Sequence, residues 1–239
     1  WGDEAKGKIV SHLTKNGNYN FVCRWAGGSN AGHTIYKNGN KYKTHLIPSG
    51  IFYGIPSIIG PGCVVNKQDF QKEIDYLNEN GFDTSLIKIS PKTHVIQDSH
   101  IQEDKEKYKN TQGSTSKGIA PSYRDKFARI GSRVGDENNL DFFSQYIWDE
   151  KLIGNILCEG AQGVWLDIDY GNYPYVTSSH CLTGFVNTSA VPIHSINEVI
   201  GVCKIYATYV GKMEFEDKNE NSFELLRVLG GEKGSTTGR

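Results

Sequence analysis

What this sequence lacks narrows its chemistry first. No apolar run approaches the roughly 20 residues needed to cross a bilayer, so no membrane span is expected. No secretory leader is visible. The charges nearly cancel: 26 Lys and Arg stand against 27 Asp and Glu, a formal net charge of −1. That balance gives no reason to expect a nucleic acid or an anionic membrane surface as partner. The five cysteines (Cys23, Cys63, Cys158, Cys181, Cys203) are odd in number, scattered, and form no Cys-x-x-Cys pair. This suits reduced thiols in a cytoplasmic protein rather than a disulfide framework or a zinc site. No repeat, linker or low-complexity stretch interrupts the 239 residues, and one continuous domain over residues 1–239 is the simplest organisation. An initiator Met is also absent. The chain opens on a glycine-rich loop of the kind that follows a strand and closes at Arg239 inside a Gly/Thr-rich segment. An internal piece of a longer chain, incomplete at both ends, is the expectation.

What is present begins at the first residues. Gly2-Asp3-Glu4-Ala5-Lys6-Gly7-Lys8-Ile9 fits the phosphate-loop pattern G-x-x-x-x-G-K and then departs from it. Such loops bring backbone N–H groups and a Lys charge up to phosphate oxygens, and the next helix adds its dipole. The usual Ser or Thr that holds Mg²⁺ is replaced by Ile9. The metal then needs another oxygen, and Asp3 is the obvious candidate. A carboxylate inside the loop would repel phosphate, so it makes sense only as a metal ligand or as a proton acceptor.

Strand-like runs occur at Tyr19–Ala26, Tyr42–Leu46, Ile58–Val65, Leu86–Ile89, Asn155–Glu159 and Val199–Val210. Between them lie helix signals. Asn66 reads as an N-cap, Phe70, Ile74 and Leu77 share one face, and Gly81 is a stop. Leu140–Trp148 is a second helix, Asp98–Asn110 a solvated one, and Lys212–Asn221 an exposed acidic loop. The alternation predicts an α/β fold: a mainly parallel central sheet with helices on both faces, like the phosphate-loop NTPases.

Four further segments are dense in glycine and small polar residues. Trp25 to Thr34 follows a strand and ends near His33, which suits an acid or a hydrogen-bond donor. Gly113 to Asp136 sets hydroxyls and amides near Arg129 and Arg133, a combination suited to a phosphate monoester. Glu159-Gly160-Ala161-Gln162-Gly163 sits at the carboxyl end of a strand, where open α/β sheets bind ligands. It runs on through Asp167 and Asp169, for which surface or structural roles are expected over a metal, to Thr177. Gly234 to Arg239 offers amides, hydroxyls and a guanidinium to a carboxylate.

Taken together and in order, these blocks resemble the adenylosuccinate synthetase family, from Trp1 to Arg239. The resemblance implies ligation of IMP and L-aspartate, driven by GTP with Mg²⁺ as cofactor, through a 6-phosphoryl-IMP intermediate. It assigns Asp3 as catalytic base and His33 as its partner at the 6-oxygen. Gly2, Asp3, Glu4, Ala5, Lys6, Gly7 and Lys8, with Gly32, His33 and Thr34, match the GTP loops. Asn30, Ala31, Gly32, His33, Thr115, Gln162 and Thr177 match IMP contacts. Arg129 matches a residue that reaches the IMP of a neighbouring subunit, which implies a homodimer. Ser235, Thr236, Thr237 and Arg239 match the aspartate loop, and Asp3 with the Gly32 backbone oxygen matches the metal ligands.

The departures are few. Ala5 stands where the family has Gly and is expected to avoid positive φ. Ser116-Lys117 and Ala120 replace Gly-Arg and Gly, so that loop is expected to move differently or to meet phosphate through the Lys117 charge. In the family the guanine-reading Lys-x-Asp motif lies beyond the position of Arg239, which leaves GTP against ATP open. The alternative within the fold is the phage-type relative that joins aspartate to dGMP, often with ATP. Those relatives tend to lack the acid at Asp3. A GTPase switch would need the hydroxyl that Ile9 replaces.

Overall fold

The computed structural model describes residues 1–189, 191–211, 213–214 and 220–231. In chain order the elements are α1 (Lys6–Asn16), β1 (Phe21–Arg24), β2 (His33–Lys37), β3 (Asn40–Thr44), β4 (Ser57–Ile59), β5 (Val64–Val65) and α2 (Lys67–Glu79). Then come β6 (Ile87–Ile89), β7 (His94–Val95), α3 (Asp98–Lys107), α4 (Ile119–Ala128), α5 (Glu137–Phe143), β8 (Ile156–Glu159) and α6 (Glu220–Gly230). The central sheet has the order β6-β4-β1-β8 and is parallel throughout. Its register sets Cys23 beside Ile58 and Cys158, and Arg24 beside Ile59 and Glu159. The carboxyl ends of β1 and β8 therefore lie side by side, and the loops after both strands leave from the same rim.

The sheet is buried as parallel sheets are: Val22, Cys23, Ile59, Ile87 and Ile89 have no exposed surface. Helix α2 closes the core. The Asn66 side chain accepts from Asp69 N at 2.9 Å, and Phe70, Ile74 and Leu77 pack against Ile59, Ile87 and Ile89. Phe70 also meets the rings of Phe143 and Tyr146, with centroids 5.6 and 5.1 Å away. Cap and stripe alike were readable in advance.

Elsewhere the structure differs from the sequence reading. Ile58–Val65 is two strands in two sheets, because Gly60, Pro61 and Gly62 interrupt the ladder between β4 and β5. Leu140–Trp148 is replaced by α5, which starts at Glu137, and a 3₁₀ turn over Ser144–Tyr146. Helix α3 is not simply solvated. His100 and Asp104 are buried, and Asp104 Oδ2 accepts from Gly118 N at 2.7 Å, tying α3 to the start of α4. Residues 119–128, read as part of a polar loop, are α4. Of Lys212–Asn221, residues 212 and 215–219 lie outside the described residues, and Glu220 opens α6.

The largest difference is at Val199–Val210, which forms no strand. Val199 and Ile200 are half exposed and Ile205 fully so. Residues 195–208 instead line one wall of a groove of about 830 Å³, opposite Val10 and Leu13 of α1 and Ile156–Cys158 of β8. Among the described strands, β8 pairs only with β1. A β-branched run becomes a strand only when a neighbouring edge takes its N–H and C=O groups, and here the groove keeps the two apart.

Candidate active site

The loop ahead of α1 holds itself together through Glu4. One carboxylate oxygen accepts from Gly2 N at 2.9 Å, and the other accepts from Lys6 Nζ at 3.3 Å. Lys6 Nζ also donates to Gly2 O at 3.1 Å. Burial lowers the Lys6 pKa, and Glu4 opposes that effect. Ala5 overturns its expectation: it caps α1 with φ 64° and ψ 32°, the left-handed region. The turn from loop into helix requires that conformation whatever the side chain, and the Cβ strain costs about 1–2 kcal/mol. Gly7 meets a different demand, since a Cβ there would sit 2.7 Å from His33 Cβ. Asp3 makes no hydrogen bond or ion pair with any described residue. Lys8 is exposed.

The loop after β1 is fixed from several sides. Tyr123 Oη accepts from Gly27 N at 3.0 Å and donates to Gly62 O at 2.7 Å. Asn30 Oδ1 accepts from Gly28 N at 3.1 Å, and Ser29 Oγ donates to Asp69 at 2.7 Å. Asp69 also accepts from Lys117 Nζ at 3.0 Å. Lys117 is therefore engaged by a carboxylate and does not stand as a free charge toward phosphate, which corrects the reading of that departure. His33 opens β2, is 5% exposed, and places Nδ1 on the Glu159 carboxylate. Burial pulls the imidazole pKa down, with Glu159 opposing. Burial works against the Glu159 carboxylate too, yet His33, Arg24 and the Ser49 amide together hold it below the usual range.

At the end of β8, the side-chain Nε2 and Oε1 of Gln162 are both buried and without a hydrogen-bond partner among the described residues. Asp167 is fully buried and structural, as expected. It accepts from Asp169 N and Tyr170 N, each at 3.0 Å, and from Cys181 N, which knits the loop carrying Thr177.

These loops enclose one cavity of about 220 Å³. Gly2, Asp3, Asn30, Ala31, Gly32, His33, Thr115, Gln162 and Thr177 all line it. Other residues singled out from the sequence do not. Glu4 and Lys6 face the groove along β8, while Ala5, Gly7, Lys8 and Thr34 lie off both walls. Arg129 is exposed at the end of α4, and Arg133 pairs with Asp136 at 3.8 Å, so neither reaches the cavity. Ser235, Thr236, Thr237 and Arg239 lie outside the described residues. The sequence reading did not single out Glu159 or Arg24 as site residues. Glu159 opens one of the glycine-rich segments but was given no role, Arg24 lies in a strand, and only the sheet register shows them meeting.

Open parallel sheets take their ligands at the carboxyl ends of the strands. Here that rim carries a glycine-rich loop, an imidazole, and a carboxylate and an amide without hydrogen-bond partners among the described residues, around a single cavity. This is the build of a nucleotide-using α/β enzyme. The family model for adenylosuccinate synthetase matches residues 1–153 and 144–239. The adenylosuccinate synthetases of Brevibacillus brevis and Enterococcus faecalis are each 40% identical to it over 294 aligned residues, taking in 100% of this chain and 68% of each relative. The chain belongs to the adenylosuccinate synthetase family, whose members are ligases that form a C–N bond. The solved structure of the fully ligated adenylosuccinate synthetase from Plasmodium falciparum matches with a TM-score of 0.84 at 32% identity, over 100% of this chain and 68% of that one. The succinoaminodeoxyadenylate synthetase of cyanophage S-2L, solved with dGMP and dATP, matches with a TM-score of 0.66. At 22% identity over 80% of this chain and 57% of that one, this second likeness is one of fold.

Proposed function

We propose that the cavity binds the purine of IMP, with Asp3 and His33 at the reacting edge and Gln162 pairing with the base. The observation that carries this is the juxtaposition, on the walls of one cavity, of a carboxylate and a buried amide that have no hydrogen-bond partner among the described residues. A 6-oxopurine presents an N–H donor next to a C=O acceptor. A carboxylate can take that proton, and an amide can both donate and accept.

The chemistry follows from the leaving-group problem. The 6-oxo group does not leave, and its oxygen is a poor nucleophile while N1 keeps its proton. Asp3 removes the N1 proton, which shifts charge to the 6-oxygen. That oxygen forms a bond to the γ-phosphorus of GTP as the bond to the β-phosphate oxygen breaks. The aspartate amine then bonds to C6, and inorganic phosphate departs. His33 meets the 6-oxygen and the phosphoryl group in transfer. Gly2 to Lys8, with Gly32 to Thr34, hold the GTP phosphates, and Asn30, Ala31, Thr115 and Thr177 hold IMP. The Asp3 carboxylate and the Gly32 backbone oxygen form a hard-oxygen donor set suited to Mg²⁺, which usually completes its shell with substrate phosphates and water. When bound, the ion neutralises charge on the phosphoryl group being transferred.

Arg129, exposed where α4 ends, is assigned to the IMP phosphate of a neighbouring subunit in a homodimer. Ser235, Thr236, Thr237 and Arg239 are assigned to the aspartate carboxylates. No described helix is long and apolar enough to cross a membrane, and a cytoplasmic setting accords with the reduced thiols. The dGMP reading has less support, because the relatives at 40% identity are adenylosuccinate synthetases and Asp3 is present.

Two measurements test the proposal. Asp3→Asn should lower kcat by at least about a hundredfold with a modest change in KM for IMP, as lost general-base catalysis requires. Turnover near that of the unsubstituted enzyme would remove Asp3 from the chemistry. IMP and dGMP offered in competition, with aspartate, Mg²⁺ and either GTP or ATP, should yield adenylosuccinate. A dominant 2-amino product would establish the phage-type activity instead.

A further inference from the structure

We propose that Glu159 is a positioning residue for His33. Its carboxylate accepts from Nδ1–H, which turns Nε2 to the substrate, and it stabilises the imidazolium whose Nε2–H donates to the 6-oxygen or the phosphoryl group, while Arg24 balances its charge. The inference rests on His33 acting at the 6-oxygen or the phosphoryl group.

The geometry comes from four elements meeting at one point. The sheet register places Arg24 of β1 directly beside Glu159 of β8, and neither has exposed surface. One carboxylate oxygen of Glu159 takes His33 Nδ1 from the start of β2. The other accepts from Ser49 N at 2.8 Å, at the first residue of a 3₁₀ turn spanning Ser49–Tyr53. Arg24 Nη1 lies 3.9 Å from the same oxygen that holds His33. Both terminal nitrogens of Arg24 lack a hydrogen-bond partner among the described residues, so the guanidinium acts on the carboxylate as a charge rather than through a paired fork.

This arrangement needs a carboxylate in particular. Two donors, an imidazole N–H and a backbone N–H, point at two separate oxygens, and a cation stands by. An amide has one acceptor. If its oxygen faced His33, its NH₂ group would confront Ser49 N–H. If it were reversed, the NH₂ group would donate to Nδ1 and force the proton to Nε2. Gly7 of α1 lets the helix pass close to His33, since a Cβ there would sit 2.7 Å from the His33 Cβ. With Nδ1 occupied and the ring on the cavity wall beside Gly32 and Asp3, Nε2 is the nitrogen left to meet a ligand. Orientation of an imidazole by a buried acid at its far nitrogen is a general device, and losing it costs activity even when the imidazole stays.

The test compares three enzymes: Glu159→Gln, His33→Ala and the double variant. Glu159→Gln should lower kcat about 10- to 100-fold with KM for GTP nearly unchanged. The double variant should be no worse than His33→Ala alone, since the two residues act as one unit. Unchanged kcat in Glu159→Gln beside an impaired His33→Ala would overturn the assignment of Glu159 alone. Unchanged kcat in His33→Ala would overturn the reading of His33 and this inference with it. A measurement on the unsubstituted protein covers the case in which Glu159→Gln does not fold. In ¹⁵N-labelled enzyme without substrate, the neutral His33 ring should carry its proton on Nδ1, and the opposite tautomer would overturn the inference.

Discussion

Two β-branched runs of this chain meet opposite fates. Ser57–Ile59 becomes β4, lies between β1 and β6, and is buried at every position. Val199–Val210 has the same strand-like character, yet it makes no ladder and leaves Ile205 in solvent. Propensity does not separate them. What differs is the neighbourhood: β4 has an edge on each side and α2 above, whereas residues 195–208 face β8 across an open groove. Strand formation in this protein is a property of pairs of segments, and burial follows the pairing.

The sharpest way to break that contrast is to truncate one side chain in each region. Phe70→Ala removes a ring with no exposed surface and three aromatic neighbours, and should cost about 3–5 kcal/mol in denaturant unfolding. Ile205→Ala should stay within about 0.5 kcal/mol. A similar loss at both sites would mean that the 195–208 wall is packed after all. Next in size comes Arg129→Leu. Arg129 is exposed at the end of α4 and does not line the cavity. If Arg129 binds the IMP phosphate of a neighbouring subunit as proposed, its loss should raise KM for IMP about tenfold and leave KM for GTP unchanged. Mixing this variant with Asp3→Asn should restore some activity through hybrid dimers. An unchanged KM for IMP would place Arg129 outside the site.

Ala5→Gly probes strain where the cavity meets α1. Releasing a left-handed alanine returns about 1–2 kcal/mol, and glycine's freedom in the unfolded chain takes back about 0.4–1, so the melting temperature should rise slightly. A fall would show that the loop does not hold that conformation in solution. The smallest perturbation is thiol labelling. Cys203 is exposed and should react with an alkylating agent in the native protein. Cys63, whose thiol burial pushes up to about 11, and Cys23, pushed higher still, should react only on unfolding. Equal labelling rates would erase the distinction between the two regions.

Much of the site could be read along the chain because each piece is local. The glycine-rich loops after β1 and β8 announce themselves by composition, and Asp3 stands out because Ile9 replaces the usual hydroxyl. Helix α2 was legible from one cap and one stripe. Other features were not, because no local pattern encodes them. The partner of Lys117 is 48 residues away at Asp69, and the partner of His33 is 126 residues away at Glu159. The positive φ at Ala5 ran against side-chain preference, since the turn into α1 outweighs the strain.

By itself, then, the sequence determined the segments, their caps and the chemical groups at their ends: a carboxylate in a phosphate loop, an imidazole after glycines, an amide after a strand. Periodicity and composition act within a few residues, and these features are of that range. Only the tertiary structure decided that β1 and β8 lie in register, so that Arg24, Glu159 and His33 form one buried unit behind the cavity. It also decided that Val199–Val210 goes without a strand partner. Pairing of edges and satisfaction of buried charges depend on groups far apart in the chain, and nothing in a local window records which of them will meet.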